Sequence, residues 1–297
     1  MTEKSPDISV VIVSYNTVDL IEACISSVLA SQGLSLELFV IDNASSDGSA
    51  DFVRGYYPAA NLITNDVNRG YGAANNQALP ECTGRYVILL NPDTTVKPDS
   101  FSIMMSYMES RPGIGLAGPR VVNPDGTRQD SISARYPGHR HGGDDLGVLP
   151  GSIACVLGAC QIVRGDLLKS LGGFDEDFFL YGEDQDLCLR IRKRGFEIGF
   201  ILDAVIMHHG GQSERKTLPE EVVRKKVRAE YLFYRKHYRP DTIRRIRKGQ
   251  YFRAIWRIFS IRLLLMFIAN KQIAQGKLAK YRVIRDETKS ENRGTDK

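Results

Sequence analysis

ISVVIVSYNTVDLIEACISSVLASQGLSLELFVIDN, Ile8 to Asn43, carries two different periodicities in one stretch. Ile8 to Val13 is an unbroken apolar run, as a strand buried on both faces of a parallel sheet requires. Thr17 stands where a helix cap belongs, and Leu20, Ile21, Cys24, Ile25 and Val28 then share one helical face. Leu36 to Ile41 is a second apolar strand, ending abruptly at Asp42-Asn43. Strand, helix, strand in this spacing is the unit of a doubly wound sheet.

The alternation continues. A short helix is expected near Ala50 to Arg54, a strand at Asn61 to Thr64, a helix over Gly72 to Leu79 and a fourth strand from Arg85 to Leu90. In such sheets ligands sit beyond the carboxyl ends of the strands. Those ends carry Tyr15-Asn16, Asp42-Asn43 and Asn91-Pro92-Asp93, so polar groups collect on one edge in front of apolar runs.

The 297 residues are 42% hydrophobic and 25% charged, ordinary for a globular protein. The net charge of +5 hides an asymmetry. Arg224 to Arg262 holds 14 Lys and Arg against Glu230 and Asp241, so this block carries +12 and the remaining residues together −7. A block of that kind points to an acidic surface. The five cysteines are scattered, with no C-x-x-C, which argues against a disulfide framework or a zinc site and suits a reducing cytoplasm. No signal peptide is evident, and no apolar run reaches the length of a spanning helix.

Leu171 to Gly195 (LGGFDEDFFLYGEDQDLCLRIRKRG) ends on a helix with acids Glu183, Asp184 and Asp186 in its first turn. Arg190, Arg192, Lys193 and Arg194 fill its last turns, and Gly195 is placed to cap it. A surface helix accounts for the basic end. Carboxylates gathered behind aromatics and a glycine are also how general bases are housed. Before this stretch, Arg128 to Gly151 is irregular and reads as a long Gly-rich lid. His139 and His141 lack a third local ligand for a metal. Strands are expected at Glu197 to Ile201 and at Asp203 to His209.

After Pro219 a basic helix with interleaved tyrosines runs to Tyr238. Arg239-Pro240 breaks it, and Gly249 is read as a second break. Ala254 to Ala269 is apolar apart from Arg257, Ser260 and Arg262, the composition of a helix lying in a membrane interface or buried against protein. No recognisable nucleic-acid-binding fold accompanies the basic residues. Three regions are therefore expected: a catalytic domain over 1–215, a basic helical membrane-association segment over 216–285 and a disordered tail over 286–297.

Six motifs in order complete the reading: VVIVSYN (Val10 to Asn16), VIDNASSDGS (Val40 to Ser49), NRGYGAANN (Asn68 to Asn76), LLNPD (Leu89 to Asp93), GGFDEDFFLYGEDQDLCLR (Gly172 to Arg190) and HHGGQS (His208 to Ser213). The chain resembles the family-2 glycosyltransferases of GT-A fold, in particular the bacterial rhamnosyltransferase-like members that build surface polysaccharides. The resemblance spans Ile8 to about Ser213.

It implies an α/β nucleotide-sugar-binding domain and an inverting transfer from a nucleotide-sugar donor to a glycan or lipid-linked acceptor. Deoxythymidine-diphosphate rhamnose is the first donor expected and a uridine-diphosphate sugar the second. Asp184 would be the general base, with Glu183 its neighbour or substitute. Tyr15, Asn16, Asp42, Asn43, Asn68, Gly70, Asn75, Asn91 and Asp93 would meet the donor. Gly158, Ala159, Asp175 and Asp186 would line the acceptor side. A divalent ion, magnesium or manganese, would be held by Asp93 and His208, with His209 as the fallback. Where the family commonly has Asp-x-Asp, this chain has Asn91-Pro92-Asp93, leaving one carboxylate. The implied setting is the inner face of a cell membrane, bound peripherally through the C-terminal helices, with a homodimer possible. A membrane-peripheral sugar-nucleotide binder without turnover is the non-enzymatic alternative.

Overall fold

The computed structural model describes residues 5–210, 219–265 and 272–290. Its first strands are β1 (Ile8–Ser14), β2 (Leu36–Asp42), β3 (Asn61–Thr64), β4 (Tyr86–Leu90) and the short β5 (Thr94–Val96), interleaved with α1 (Val18–Leu29), α2 (Ser49–Tyr56) and α3 (Tyr71–Ala78). Then follow α4 (Ser100–Glu109), β6 (Ile114–Val122), β7 (Ile132–Ser133), the helical turn α5 (His139–Gly142), β8 (Cys155–Val156), β9 (Cys160–Arg164), α6 (Gly165–Ser170), α7 (Glu183–Lys193) and β10 (Glu197–His208). Three helices, α8 (Pro219–His237), α9 (Pro240–Leu264) and α10 (Gln272–Ser290), complete the described chain.

One eight-stranded sheet has the order β3-β2-β1-β4-β9-β6-β10-β5. The first four strands are parallel, β9 runs against both neighbours, and β10 is parallel to β6. The mainly parallel, doubly wound sheet expected from Ile8 to Leu90 is present. All seven residues of β1 are buried. Ile8, Val10 and Ile12 pack with Ile21, Cys24, Ile25 and Val28 of α1 and with Phe101, Met104 and Met108 of α4. Val11 and Val13 turn to the opposite layer, against Ala74 and Ala78 of α3 and Leu187 and Ile191 of α7. Period-two alternation into two apolar layers is what removes polarity from the run.

Several local features differ from the sequence expectation. Thr17 makes no capping bond. The Val18 amide instead donates to Asp47 Oδ2 at 2.9 Å, so a residue 29 positions later closes the helix start. The two strands expected between Glu197 and His209 form one, β10, with a register shift against β6 between Ile201 and Val205. Within 128–151 the chain forms β7, which pairs with β8, and the turn α5, rather than an unstructured lid. Helix α9 passes through Gly249 unbroken, because a Cβ there would lie 3.3 Å from His141 Nε2: the glycine permits a close approach. Helix α10 runs to Ser290, past the expected start of the tail. Gly211 to Ser213, Met266 to Ala269 and residues 291–297 lie outside the described residues.

The chain divides into two compact units. One holds Met1–Tyr136 and Leu149–Gln212, the other Pro137–Val148 and Ser213–Lys297. In the second, Tyr238 Oη donates to Pro137 O at 2.6 Å and Arg239 Nε to Asp145 Oδ1 at 2.7 Å. Arg224 and Arg228 of α8 both pair with Glu287 of α10.

Candidate active site

Parallel register brings the strand ends side by side, with Ser14 opposite Asp42 and Asp42 opposite Thr64. The chain leaves them in unusual conformations: Asn16 (φ 55°) and Ala44 (φ 67°) are left-handed without being glycine. Such residues cluster at functional sites. Asn16 Oδ1 accepts from the Ser46 amide at 2.8 Å, and Tyr15 stands 47% exposed beside it. Asp42 is buried; its Oδ2 accepts from the Ser45 amide, while Oδ1 has no partner. An orphaned buried acceptor at a strand end suits an N–H or O–H group of a ligand.

Asn43 is buried and its amide is fully engaged. Nδ2 donates to Asn68 Oδ1 (3.0 Å) and Gly70 O (3.3 Å), and Oδ1 accepts from the Arg69 amide and Asn65 Nδ2. It fastens the 68–70 loop. Asn68 Oδ1 also takes the Gly70 amide at 2.9 Å. Gly70, at φ +85°, meets the protein's own backbone: a Cβ would lie 2.5 Å from Phe179 O, which accepts from the Tyr71 amide. Asn75 is buried, its Nδ2 donating to Tyr71 O and its Oδ1 unpartnered.

The segment that reaches Gly70 leads through Tyr181 (φ 70°) and Gly182 (φ 86°) into α7. Glu183 is 8% exposed, and its Oε2 has no partner. Burial, reinforced by the charge of Asp184, pushes the Glu183 carboxyl up to about 8. Asp184 is partly exposed. Burial raises it too, but the Gln185 and Gly158 amides favour its charged form, the first at 2.8 Å. Both carboxyls are thus raised by burial, and the amide hydrogen bonds that offset this fall on Asp184, whereas Glu183 Oε2 has none. Tyr71 Oη is also buried, and burial, reinforced by the nearby Glu183 and Asp184 carboxyls, raises it, with Asn75 acting in the other direction.

Asp186 is buried and holds Arg190 Nε at 2.6 Å, whose other nitrogens reach Leu171 O and Gly173 O. It ties α7 to the Gly-Gly turn. Asp175 Oδ1 accepts from the Asp177 amide at 3.1 Å. Gly158 lies against Asp184: a Cβ there would sit 3.6 Å from Asp184 Oδ2. Ala159 O accepts from the Asn91 amide at 2.9 Å. The pairing of Leu90 with Cys160 therefore joins the Asn91–Asp93 loop to the turn that touches Asp184.

At the far side of that loop His208 Nε2 lies 3.3 Å from Asp93 Oδ1, both side chains nearly buried. His208 Nδ1 is 3.0 Å from Gln129 Oε1, and Gln129 Nε2 donates to His208 O and Asn123 Oδ1. Oε1 can only accept, so Nδ1 carries a proton, and Nε2 is the nitrogen turned to Asp93. His209 is exposed; its amide donates to Asp93 O. No group of three or more potential ligands occurs among the described residues. Asp93 and His208 nevertheless fit a hard or borderline cation: a carboxylate oxygen and an imidazole nitrogen 3.3 Å apart, with Gln129 holding the other ring nitrogen.

Residues 9–172 match the family model for glycosyl transferase family 2. The chain belongs to glycosyl transferase family 2. Over 244 residues the transferase is 28% identical to the N-acetylglucosaminyl-diphospho-decaprenol L-rhamnosyltransferase of Mycobacterium tuberculosis, covering 72% of this chain and 78% of that one. It is 31% identical over 136 residues to the putative teichuronic acid biosynthesis glycosyltransferase TuaG of Bacillus subtilis, covering 44% and 54%. In fold it is similar to the mannosyltransferase PcManGT from Pyrobaculum calidifontis in complex with GDP-Man and Mn2+. That match has a TM-score of 0.62 at 17% identity, over 98% of this chain and 88% of that one. The first 349 residues of S. aureus TarS, in complex with UDP-GlcNAc, match with a TM-score of 0.54 at 15% identity, over 96% and 92%. The fold of the transferase is GT-A, as expected.

Two residues beside the candidate site escaped the sequence reading. Gln129 lies in a stretch read as a lid, and nothing in its spacing marks it. Tyr71 sits inside NRGYGAANN but only the fold points it at Glu183.

Proposed function

We propose that this family-2 glycosyltransferase moves L-rhamnose from deoxythymidine-diphosphate rhamnose to a hydroxyl of a glycan or lipid-linked acceptor in surface polysaccharide biosynthesis, with inversion. The observation that carries the mechanism is geometric: at the start of α7 the Asp184 carboxyl accepts from the Gln185 amide at 2.8 Å, while Glu183 Oε2 beside it is buried without a partner. Asp184 takes the acceptor's hydroxyl proton. The freed oxygen bonds to the anomeric carbon as the bond from that carbon to the diphosphate oxygen breaks, its electron pair leaving with the diphosphate. Attack opposite the leaving group inverts the centre, by the logic of inverting hydrolysis. Asp42 and Tyr15 receive the nucleoside, and Asn43 and Asn68 shape the loop beside it. Asp93 and His208 would hold a magnesium or manganese ion, which when bound neutralises charge on the departing diphosphate.

The rhamnose assignment is supported by the Mycobacterium tuberculosis relative's name, and a polysaccharide role by it and TuaG. Peripheral association with the anionic inner face of a membrane is part of the same reading. No helix among the described residues is long and apolar enough to cross a membrane, and α9 exposes large apolar side chains.

A screen of nucleotide-sugar turnover with Mn2+ or Mg2+, repeated on Asp184→Asn, tests the assignment. Turnover of the rhamnose donor, abolished in the variant, is expected. Turnover of only a uridine-diphosphate sugar would replace the donor. Binding without turnover of any donor, or undiminished transfer by Asp184→Asn, would overturn the mechanism.

A further inference from the structure

Helix α9 carries apolar residues on two opposite faces. Ala254, Ile258 and Ile261 are buried, and the last two pack with Ala274 and Leu278 of α10. Facing away from them, Phe252 (66% exposed), Ile255 (40%), Trp256 (64%), Phe259 (59%) and Leu263 (49%) meet solvent. These five recur at steps of three and four residues and form one stripe, within which the Trp256 and Phe259 rings lie 6.1 Å apart. Helix packing accounts for the first face. It leaves a contiguous patch of large side chains, which scattered surface apolarity does not explain.

Followed toward the N-terminus at the same steps, the stripe turns basic. Lys248 and Arg245 continue it, with Arg244 alongside, all exposed. With Arg239, Asp241 and Thr242 they line a depression of about 420 Å³, in which Asp241 pairs with Arg244. Arg253 and Arg257 border the apolar part on one side and Arg262 on the other, all exposed. Arg245 to Leu263 spans roughly 27 Å of helix.

We propose that this face of α9 binds an anionic lipid bilayer, its Arg244–Arg245–Lys248 end on headgroup phosphates and its Phe252–Leu263 stripe at the acyl boundary. This rests on the peripheral-membrane reading above and deepens it by naming the face and the headgroup chemistry. The face joins exposed cations to large apolar and aromatic side chains, the two chemistries that an anionic interface accepts together. Arginines at the stripe's edges are long enough to reach back to headgroups while their stems stay in apolar surroundings. A second copy fits poorly. Two such faces meeting antiparallel would bury each basic end against the other's apolar end without a counter-charge; meeting parallel they would set like charges together.

Trp256 is the only tryptophan, so emission from the unmodified chain reads this stripe alone. Vesicles of phosphatidylcholine are compared with vesicles of equal parts phosphatidylcholine and phosphatidylglycerol. With the anionic vesicles the emission is expected to move to shorter wavelength, and the apparent affinity to fall at least about ten-fold on raising salt from roughly 0.1 M to 0.5 M. Inorganic phosphate alone should leave the emission unchanged. Arg244→Glu/Arg245→Glu/Lys248→Glu should lower vesicle affinity by a similar factor, and the salt series decides the matter even if that variant fails to fold. Unchanged emission with anionic vesicles, equal binding to phosphatidylcholine, or short-wavelength emission without lipid that rises with protein concentration as dimers form would each overturn the proposal. Donor turnover is measured in parallel without lipid. Turnover without vesicle binding removes only the lipid surface; vesicle binding without turnover removes only the transferase mechanism.

Discussion

At Glu183 and Asp184 adjacent carboxyls meet different surroundings: Glu183 Oε2 is buried without a partner, and Asp184 Oδ1 accepts from the Gln185 amide. Asp184→Asn removes the proposed base and should lower kcat on the order of 10²- to 10⁴-fold. Glu183→Gln replaces a neutral acid by a neutral amide and should stay within a few-fold of the parent. If the two variants fell equally in a steady-state assay, the division of roles would be wrong. Stability gives an independent reading. A carboxyl raised to about 8 in the folded chain stabilises fully below its ordinary value of 4.5, and that contribution is lost as pH climbs through about 8. Melting curves of the parent and Glu183→Gln should agree near pH 4 and diverge progressively from about pH 4.5 to about 8 in the variant's favour, holding a constant gap above that; curves parallel throughout would show that Glu183 titrates normally. The metal side has its own test. Gln129→Leu removes the acceptor that orients His208 and should weaken Mn2+ binding, measured by calorimetry with the nucleoside diphosphate present, by about 10- to 100-fold. Asp93, Asp184 and His208 could be singled out because ordered motifs surround them. Gln129 could not: it reaches His208 from 79 positions away, and no local pattern encodes that contact.

Among elements, the legible ones were those whose partners are implied by their own periodicity. β1 and β4 are buried along their whole length and β2 over its last five residues, so their runs are mainly apolar, and α1 shows its buried face at helical spacing. What went astray depended on neighbours distant in sequence. Thr17 looked like the cap of α1, yet its hydroxyl pairs with Ser14 Oγ at 2.8 Å. Asp47 does the capping, with its other oxygen fixed by the Ser49 amide and hydroxyl. Asp47→Ala should therefore cost about 1 kcal/mol in urea unfolding while Thr17→Val costs less, the reverse of what local cap rules suggest. Gly249 looked like a helix break, but its missing side chain admits His141 against an unbroken α9. Bare apolar content also misled for α9, because only the fold sorts Ile258 and Ile261 from Phe252, Trp256 and Phe259.

At the scale of the whole chain, the charge asymmetry marks the C-terminal third by composition alone, and Pro137–Val148 groups with Ser213–Lys297 across about 100 residues of sequence. The attachment is specific. Tyr238 is 6% exposed, its hydroxyl donates to Pro137 O, and its ring lies where a Cβ on Gly138 or Gly142 would collide with it at 3.1 and 2.8 Å. Those glycines let the turn α5 lie flat on the tyrosine, so the ring, more than the hydroxyl, holds the excursion down. Tyr238→Phe should then lose only a hydrogen bond of about 1 kcal/mol. Tyr238→Ala should lose packing worth roughly 3–5 kcal/mol and release the turn. Arg140 is exposed within it and makes a trypsin site that reports on the release. Limited proteolysis should cut after Arg140 slowly in the parent and in Tyr238→Phe, and at least ten-fold faster in Tyr238→Ala. Equal rates in all three would mean that Pro137–Val148 is held by its other contacts, such as Asp145 with Arg239, and not by the aromatic seat.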